Sequence, residues 1–268
     1  MEYLNYKYDD TTINVPASPN ILKTVFIITF CSTKPYHESF LKICVNRIRL
    51  FHPESDIIIL NDSQSHEITT KFDSCVRIEK THHTSCGEVN AYVWACEHKN
   101  EYSKYIFIHD SVFLINRLML DIEPIHFRPL WTVSRYKSDD TCGADTDNIV
   151  NRILLNNKRI DDQILNVRNG FGSVIFGSMG VFNKLFIEFL CNSTNFLDIA
   201  NMFHTRKLRS FFERILYIFV TGFYDTTQFN SFSICGDIIE QEYTFKLSSP
   251  LYSSYANNPY ALKIWQGR

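Results

Sequence analysis

Three short apolar runs constrain this chain more than any other feature of its sequence. Residues 23–31 (KTVFIITFC), 56–60 (DIIIL) and 105–108 (YIFI) are unbroken stretches of β-branched and aromatic residues with no polar alternation. A strand that is apolar on both faces must be covered on both, which is the condition of a parallel strand between helices. Between the first two runs, Phe40, Leu41, Cys44, Val45, Ile48 and Phe51 recur at helical spacing over residues 36–51. His37, Glu38, Lys42, Asn46, Arg47 and Arg49 take the opposite face, so this segment is predicted to be an amphipathic helix. His52-Pro53 closes it, because a residue before proline avoids the helical region.

Residues 75–78 read as a short third strand and 87–98 as a second helix. Strand–helix–strand–strand–helix–strand with apolar strands predicts an α/β fold with a mostly parallel, Rossmann-type sheet flanked by helices. Right-handed crossovers would then gather the polar strand ends on one edge: Thr29 to Ser32, Asn61-Asp62 and His109-Asp110-Ser111. Beyond residue 130 the pattern is weaker. Residues 138–148 (SDDTCGADTDN) have the composition of a loop, and 170–180 (GFGSVIFGSMG) are punctuated by glycine around a short apolar strand. Residues 181–190 and 211–219 read as helices. With no internal repeat and no linker, the expectation is a lead-in over 1–22 and a single domain over 23–268.

Composition narrows the function classes. A formal net charge of −2 and the lack of a dense Lys/Arg stripe argue against nucleic acid as a partner. The longest apolar runs fall well short of the ~20 residues a membrane span requires, and residues 1–20 do not have the make-up of a targeting signal. Eight scattered cysteines show no spacing that suggests a disulfide framework, so reduced thiols and a cytoplasmic location are expected.

The segment 104–114 (KYIFIHDSVFL) is an apolar strand running into a polar cluster. In this it resembles the GT-A glycosyltransferases, whose strand ends in an Asp-X-Asp signature that holds a divalent metal on the donor diphosphate. It is most similar to small, divergent glycosyltransferases of bacteria and large DNA viruses, in which His-Asp-Ser/Thr can occupy that place. The resemblance spans residues 23–190 by order of elements and is specific around 104–114. It puts His109 and Ser111 on the two Asp positions, with Asp110 between them. It implies a nucleotide-sugar donor, a glycan or other hydroxyl acceptor, and Mn²⁺ or Mg²⁺ held by Asp110 and His109. Serine is a poor ligand for a hard cation, so the charge could equally be met by Lys and Arg without metal.

The same resemblance makes residues 23–115 the donor half and 116–268 the acceptor half. Thr29, Cys31 and Asp62 would face the nucleotide, Asp62 suiting ribose hydroxyls or simply ending a strand. Gly87 and Asn90 lie in a segment, 84–91, similar to the loop and helix start that border the donor, with Tyr92 within reach of sugar or base. The tail 261–268 (ALKIWQGR) resembles a Lys-X-Trp closure over the diphosphate, with Lys263 and Arg268 supplying charge and Trp265 an anchor. A catalytic carboxylate is needed to take the acceptor proton. Asp162 and Glu213 are the candidates, Glu213 because burial in an apolar helix would raise its pKa, unless Arg209 or Arg214 pairs with it.

The literal Asp145-Thr146-Asp147 has no strand before it and reads as a solvated acidic loop. His82, His83, Cys86, Cys96 and His98 invite zinc, but a helix over 87–97 would hold Cys86 and Cys96 ~15 Å apart. A nucleotidyltransferase would carry a glycine-rich loop after the first strand, and residues 31–35 (CSTKP) contain no glycine. A non-catalytic nucleotide-sugar or glycan-binding protein remains the third reading.

Overall fold

The computed structural model describes residues 23–32, 37–63, 66–122, 126–133, 144–153, 174–223, 233–238 and 260–263. Its centre is a six-stranded sheet. The first run becomes β1 (Thr24–Phe30), followed by α1 (His37–Phe51), β2 (Asp56–Asn61) and β3 (Val76–Lys80). Then come α2 (Val89–Glu97), β4 (Lys104–His109), β5 (Val112–Leu114), β6 (Phe127–Pro129) and β7 (Thr132–Val133). The later part holds α3 (Ala144–Arg152), β8 (Val174–Ile175), β9 (Gly180–Asn183), α4 (Lys184–Asn192), α5 (Phe196–Ile199), α6 (Arg206–Phe223) and β10 (Ala261–Lys263).

The strand order is β3-β2-β1-β4-β9-β6. β1, β2, β3 and β4 run parallel, with Val25 opposite both Asp56 and Tyr105. β9 enters antiparallel between β4 and β6, pairing Phe107 with Gly180. The fold is therefore α/β with a mostly parallel central sheet flanked by helices, as the apolar runs predict. Burial supplies the reason: Val25 to Ile28 in β1, Ile57 to Ile59 in β2 and Tyr105 to Ile108 in β4 have no exposed surface. Each such side chain contributes roughly 1.5–3 kcal/mol relative to exposure. Tyr92, Tyr105, Phe127, Phe182 and Phe186 stack across the β4–β9–β6 side with ring centroids 4.9–6.1 Å apart.

Gly180 allows the antiparallel insertion, since a Cβ there would lie 2.9 Å from the Arg128 carbonyl oxygen and 2.8 Å from Phe127. α4 is capped by Asn183, whose side chain accepts from the Phe186 N–H. Two small two-stranded sheets, β10–β5 and β7–β8, complete the paired strands among the described residues.

Two expectations are corrected. The segment 138–148 is not all loop: α3 begins at Ala144, so Asp145-Thr146-Asp147 lies in the opening turns of a helix. Its amphipathic pattern, with Ile149 and Val150 buried, explains this. The thiols are not all reduced, because Cys96 of α2 and Cys191 of α4 form a disulfide with Cα atoms 6.1 Å apart. The two positions are 95 residues apart, so the pairing arises from helix packing that no local spacing discloses. The cysteine content thus no longer supports a cytosolic location. Among the described residues, no helix is long and apolar enough to cross a membrane.

Candidate functional site at the strand ends

Parallel register fixes where the polar residues meet. Thr29 stands opposite Leu60 on one side and His109 on the other, so β1, β2 and β4 end level. Sheet order reverses between β1 and β4, the switch point at which α/β sheets open a crevice beyond their carboxyl ends. Thr29 is 9% exposed, Asp62 follows β2, Cys31 is half-buried just past β1, and His109-Asp110-Ser111 follow β4. The expected convergence on one edge is present.

The loop before α2 is held from two sides by residues expected to meet a ligand. The Asp62 carboxylate accepts from the Ser85 N–H (2.9 Å), the Gly87 N–H (3.0 Å) and the Thr81 hydroxyl (2.9 Å). Burial raises its pKa, and these three hydrogen bonds offset part of the rise. Asn90 donates to the His83 carbonyl at 2.9 Å and accepts from the His83 N–H at 3.3 Å. Ser85 and Gly87 both have left-handed backbones, at φ 65° and 50°. The close approach that Gly87 permits is to protein: a Cβ there would lie 2.7 Å from Arg209 Cδ. Arg209 in turn donates to the Ser85 carbonyl at 2.7 Å. Tyr92 is buried and donates its hydroxyl to the Ser178 carbonyl, so it braces the site from within.

Around His109 lies a cluster assembled from four distant segments. Its Nε2 is 3.5 Å from Glu88 Oε1, at the start of α2, and its Nδ1 is 3.3 Å from the Lys263 ammonium on β10. An ammonium has no acceptor, so Nδ1 is the acceptor in that contact and the ring proton falls on Nε2, toward Glu88. The Lys263 ammonium also donates to the Ser111 hydroxyl. Glu88 is bracketed on its other side by Arg209, with 3.7 Å between Oε2 and Nε.

Glu213 comes from α6, one helical turn after Arg209 and on the same face. Its Oε1 accepts from the Gly177 N–H at 2.9 Å. Gly177 has φ +61°, and a Cβ on it would lie 2.9 Å from His109 Cε1 and 2.8 Å from Met179 Cε. Glycine is therefore required there both by backbone conformation and by the imidazole packed against it. Burial pushes the Glu213 carboxyl up to about 8; the Glu88 charge adds to the rise, and the Gly177 N–H, Arg214 and Lys263 oppose it. Burial likewise raises Glu88 above its ordinary value. Arg209 faces Glu88 and Ser85, while Arg214 lies buried with its guanidinium 5.9 Å from the Phe211 ring centroid.

The site residues named from the sequence thus divide. His109, Ser111, Lys263 and Glu213 come together, Asp62, Gly87 and Asn90 shape the adjacent loop, and Asp162, Trp265 and Arg268 lie outside the described residues. Glu88 and Arg209, neither of them a site residue by the sequence reading, also belong to the cluster. Glu88 reads from sequence as one more polar residue at a helix start, and nothing local announces its contact with His109.

A divalent cation fits these residues poorly. Asp110 is only 2% exposed, the Ser111 hydroxyl accepts from Lys263, and the same ammonium stands at His109 Nδ1. Among the described residues, no three His, Cys, Asp or Glu side chains group so as to hold a metal ion. An ion on His109 and Ser111 would sit against a fixed positive charge.

Fold and site together describe an α/β protein with an acid–base cluster and a fixed cation at the carboxyl edge of its sheet. The sequence matches no family model and no curated protein. Among solved structures, the chain is similar to core-mannan synthase A (CmsA/Ktr4) from Aspergillus fumigatus in its Mn/GDP form, at 9% identity and a TM-score of 0.42. That likeness covers 79% of this chain and 72% of the other. It is also similar to the mannosyltransferase Ktr4p from S. cerevisiae, at 10% identity and a TM-score of 0.41, over 71% of this chain and 62% of that one.

Proposed function

We propose that this protein is a glycosyltransferase that moves a sugar from a nucleotide-sugar donor to a hydroxyl of a glycan or other acceptor. The observation that carries the reading is Glu213, a carboxyl held by the Gly177 N–H beside the His109-Asp110-Ser111 strand end, where burial pushes its pKa up to about 8. A general base works best with a pKa near the operating pH. In its ionised form Glu213 takes the acceptor hydroxyl proton while that oxygen bonds to the anomeric carbon. The bond from the anomeric carbon to the diphosphate breaks, and the nucleoside diphosphate leaves with the electron pair. Lys263, placed at the strand end, meets the charge that develops on the leaving group.

Thr29 and Cys31, at the end of β1, are assigned to the nucleotide side of the crevice, and Asp62, Gly87 and Asn90 to the loop that borders it. Arg268 keeps its assignment to the diphosphate and Asp162 stays the alternative base. A thermal-shift titration with UDP, GDP, CDP and their sugars tests the reading. A ligand that binds only the native state stabilises it by ~2.7 kcal/mol at a hundredfold excess over Kd. A melting shift with one nucleoside diphosphate, together with slow hydrolysis of the matching sugar, is the expected result. A shift without hydrolysis would mark a binding protein, and no shift with any of them would end the glycosyltransferase reading.

A further inference from the structure

We infer that Lys263 takes the position a divalent cation would hold, so that this protein binds the diphosphate of its donor without metal. The inference rests on the glycosyltransferase reading and specifies how that site meets phosphate. Three observations carry it. First, the Lys263 ammonium contacts both His109 Nδ1 and the Ser111 hydroxyl, the two side chains flanking Asp110 at the end of β4. A metal ion and an ammonium cannot share those two partners without strong repulsion.

Second, the placement is built into the backbone. β10 runs antiparallel to β5 with Lys263 opposite Val112, next to Ser111. The Tyr260 carbonyl extends that pairing by accepting from the Ile115 N–H at 2.8 Å and the Asn116 N–H at 3.3 Å. A charge fixed by strand pairing needs little reorganisation when phosphate arrives. Third, Lys263 lies within electrostatic reach of both site carboxyls, lowering the pKa of Glu88 after Arg209 and that of Glu213 after Arg214. Its side chain is half-buried and thus retains access to the crevice.

The ligand class is a pyrophosphate ester, for which an ammonium is an established point-charge partner. The test is titration of the full-length protein with UDP, GDP and CDP, in EDTA and again in Mn²⁺, followed by melting temperature and calorimetry. The expected result is that one nucleoside diphosphate binds equally well in both buffers. Lys263→Met should then bind it at least about tenfold more weakly in both, from loss of a charge-assisted contact. Binding that requires Mn²⁺, or unchanged binding by Lys263→Met, overturns the inference and leaves the glycosyltransferase reading in place. Absence of binding by all three in both buffers removes that reading, and this inference with it. The comparison of the two buffers on the unmodified protein decides the matter even if the variant does not fold.

Discussion

The Glu213 carboxylate accepts a 2.9 Å hydrogen bond from the Gly177 N–H, and the Gly177 Cα is in turn packed against the His109 ring. One glycine thereby sets the separation between the carboxyl of α6 and the imidazole at the end of β4. A base and the strand-end cluster are held in register by backbone, where a side-chain contact would let them drift.

From this follows a pH profile. Only ionised Glu213 can accept a proton, so kcat/KM for donor turnover should rise with pH and level off above about 8. Glu213→Gln should cost roughly 10²–10⁴-fold in kcat and abolish that limb. Glu88→Gln removes a charge that raises Glu213, so the limb should move to lower pH. A profile that keeps its limb in Glu213→Gln would transfer the role to another group.

The same carboxyl has an opposite effect on stability. Between its ordinary value of 4.5 and about 8, folded Glu213 retains a proton that the unfolded chain has lost. Folding is therefore penalised increasingly as pH rises through that window. Glu213→Gln should melt higher than the unmodified protein at pH 8 and close to it at pH 4.5, as calorimetry can check.

Gly177→Ala should destabilise the protein by about 1–3 kcal/mol, the cost of a left-handed backbone for a residue with a Cβ. The added methyl also meets His109 and Met179, so donor turnover should fall by more than the change in melting temperature alone explains. Equal loss in stability and no loss in activity would show that the Gly177 spacing is immaterial to the site.

Asp62→Ala should loosen the 81–87 loop, because three half-buried donors lose their common acceptor, each loss costing up to about 1 kcal/mol. Faster hydrogen exchange at Ser85 and Gly87 is the direct readout, with weaker nucleotide binding accompanying it. Protection unchanged at both amides would contradict the clamp.

Reduction of the Cys96–Cys191 disulfide should lower the melting temperature, since a bridge across so long a loop contributes typically 2–4 kcal/mol. Thiol titration of the denatured protein should count two more reactive cysteines after reduction of this bridge than before it.

The parallel half of the sheet was readable because its strands obey one simple rule. Residues 23–31 and 56–60 match β1 and β2 to within a residue at each end, and 36–51 matches α1, since unbroken apolar runs and a 3.6-residue stripe leave few alternatives. The rest depends on long-range partners. Residues 181–190 look helical throughout, yet Val181, Phe182 and Asn183 pair with β4 and β6 before α4 begins. Sheet edges recruit short apolar segments that have no periodicity of their own. At the site, His109, Ser111 and Glu213 were visible by residue type and position. Glu88 was not, because its place depends on how α2 docks beside β4.

The pairing of β10 with β5 has a consequence for how the molecule is made. Lys263 contacts His109 across 154 residues of sequence, which at synthesis rates of 5–20 residues per second is a delay of about 8–30 s. The four parallel strands can be complete well before then, while the β4 edge that β9 later covers is still open for pairing. A nascent chain thus passes through a stage in which the sheet exists and its positive centre does not. Ribosome-bound fragments ending before Ala261 should fold their parallel strands yet hold a nucleoside diphosphate more weakly, which ties full ligand binding to the synthesis of β10.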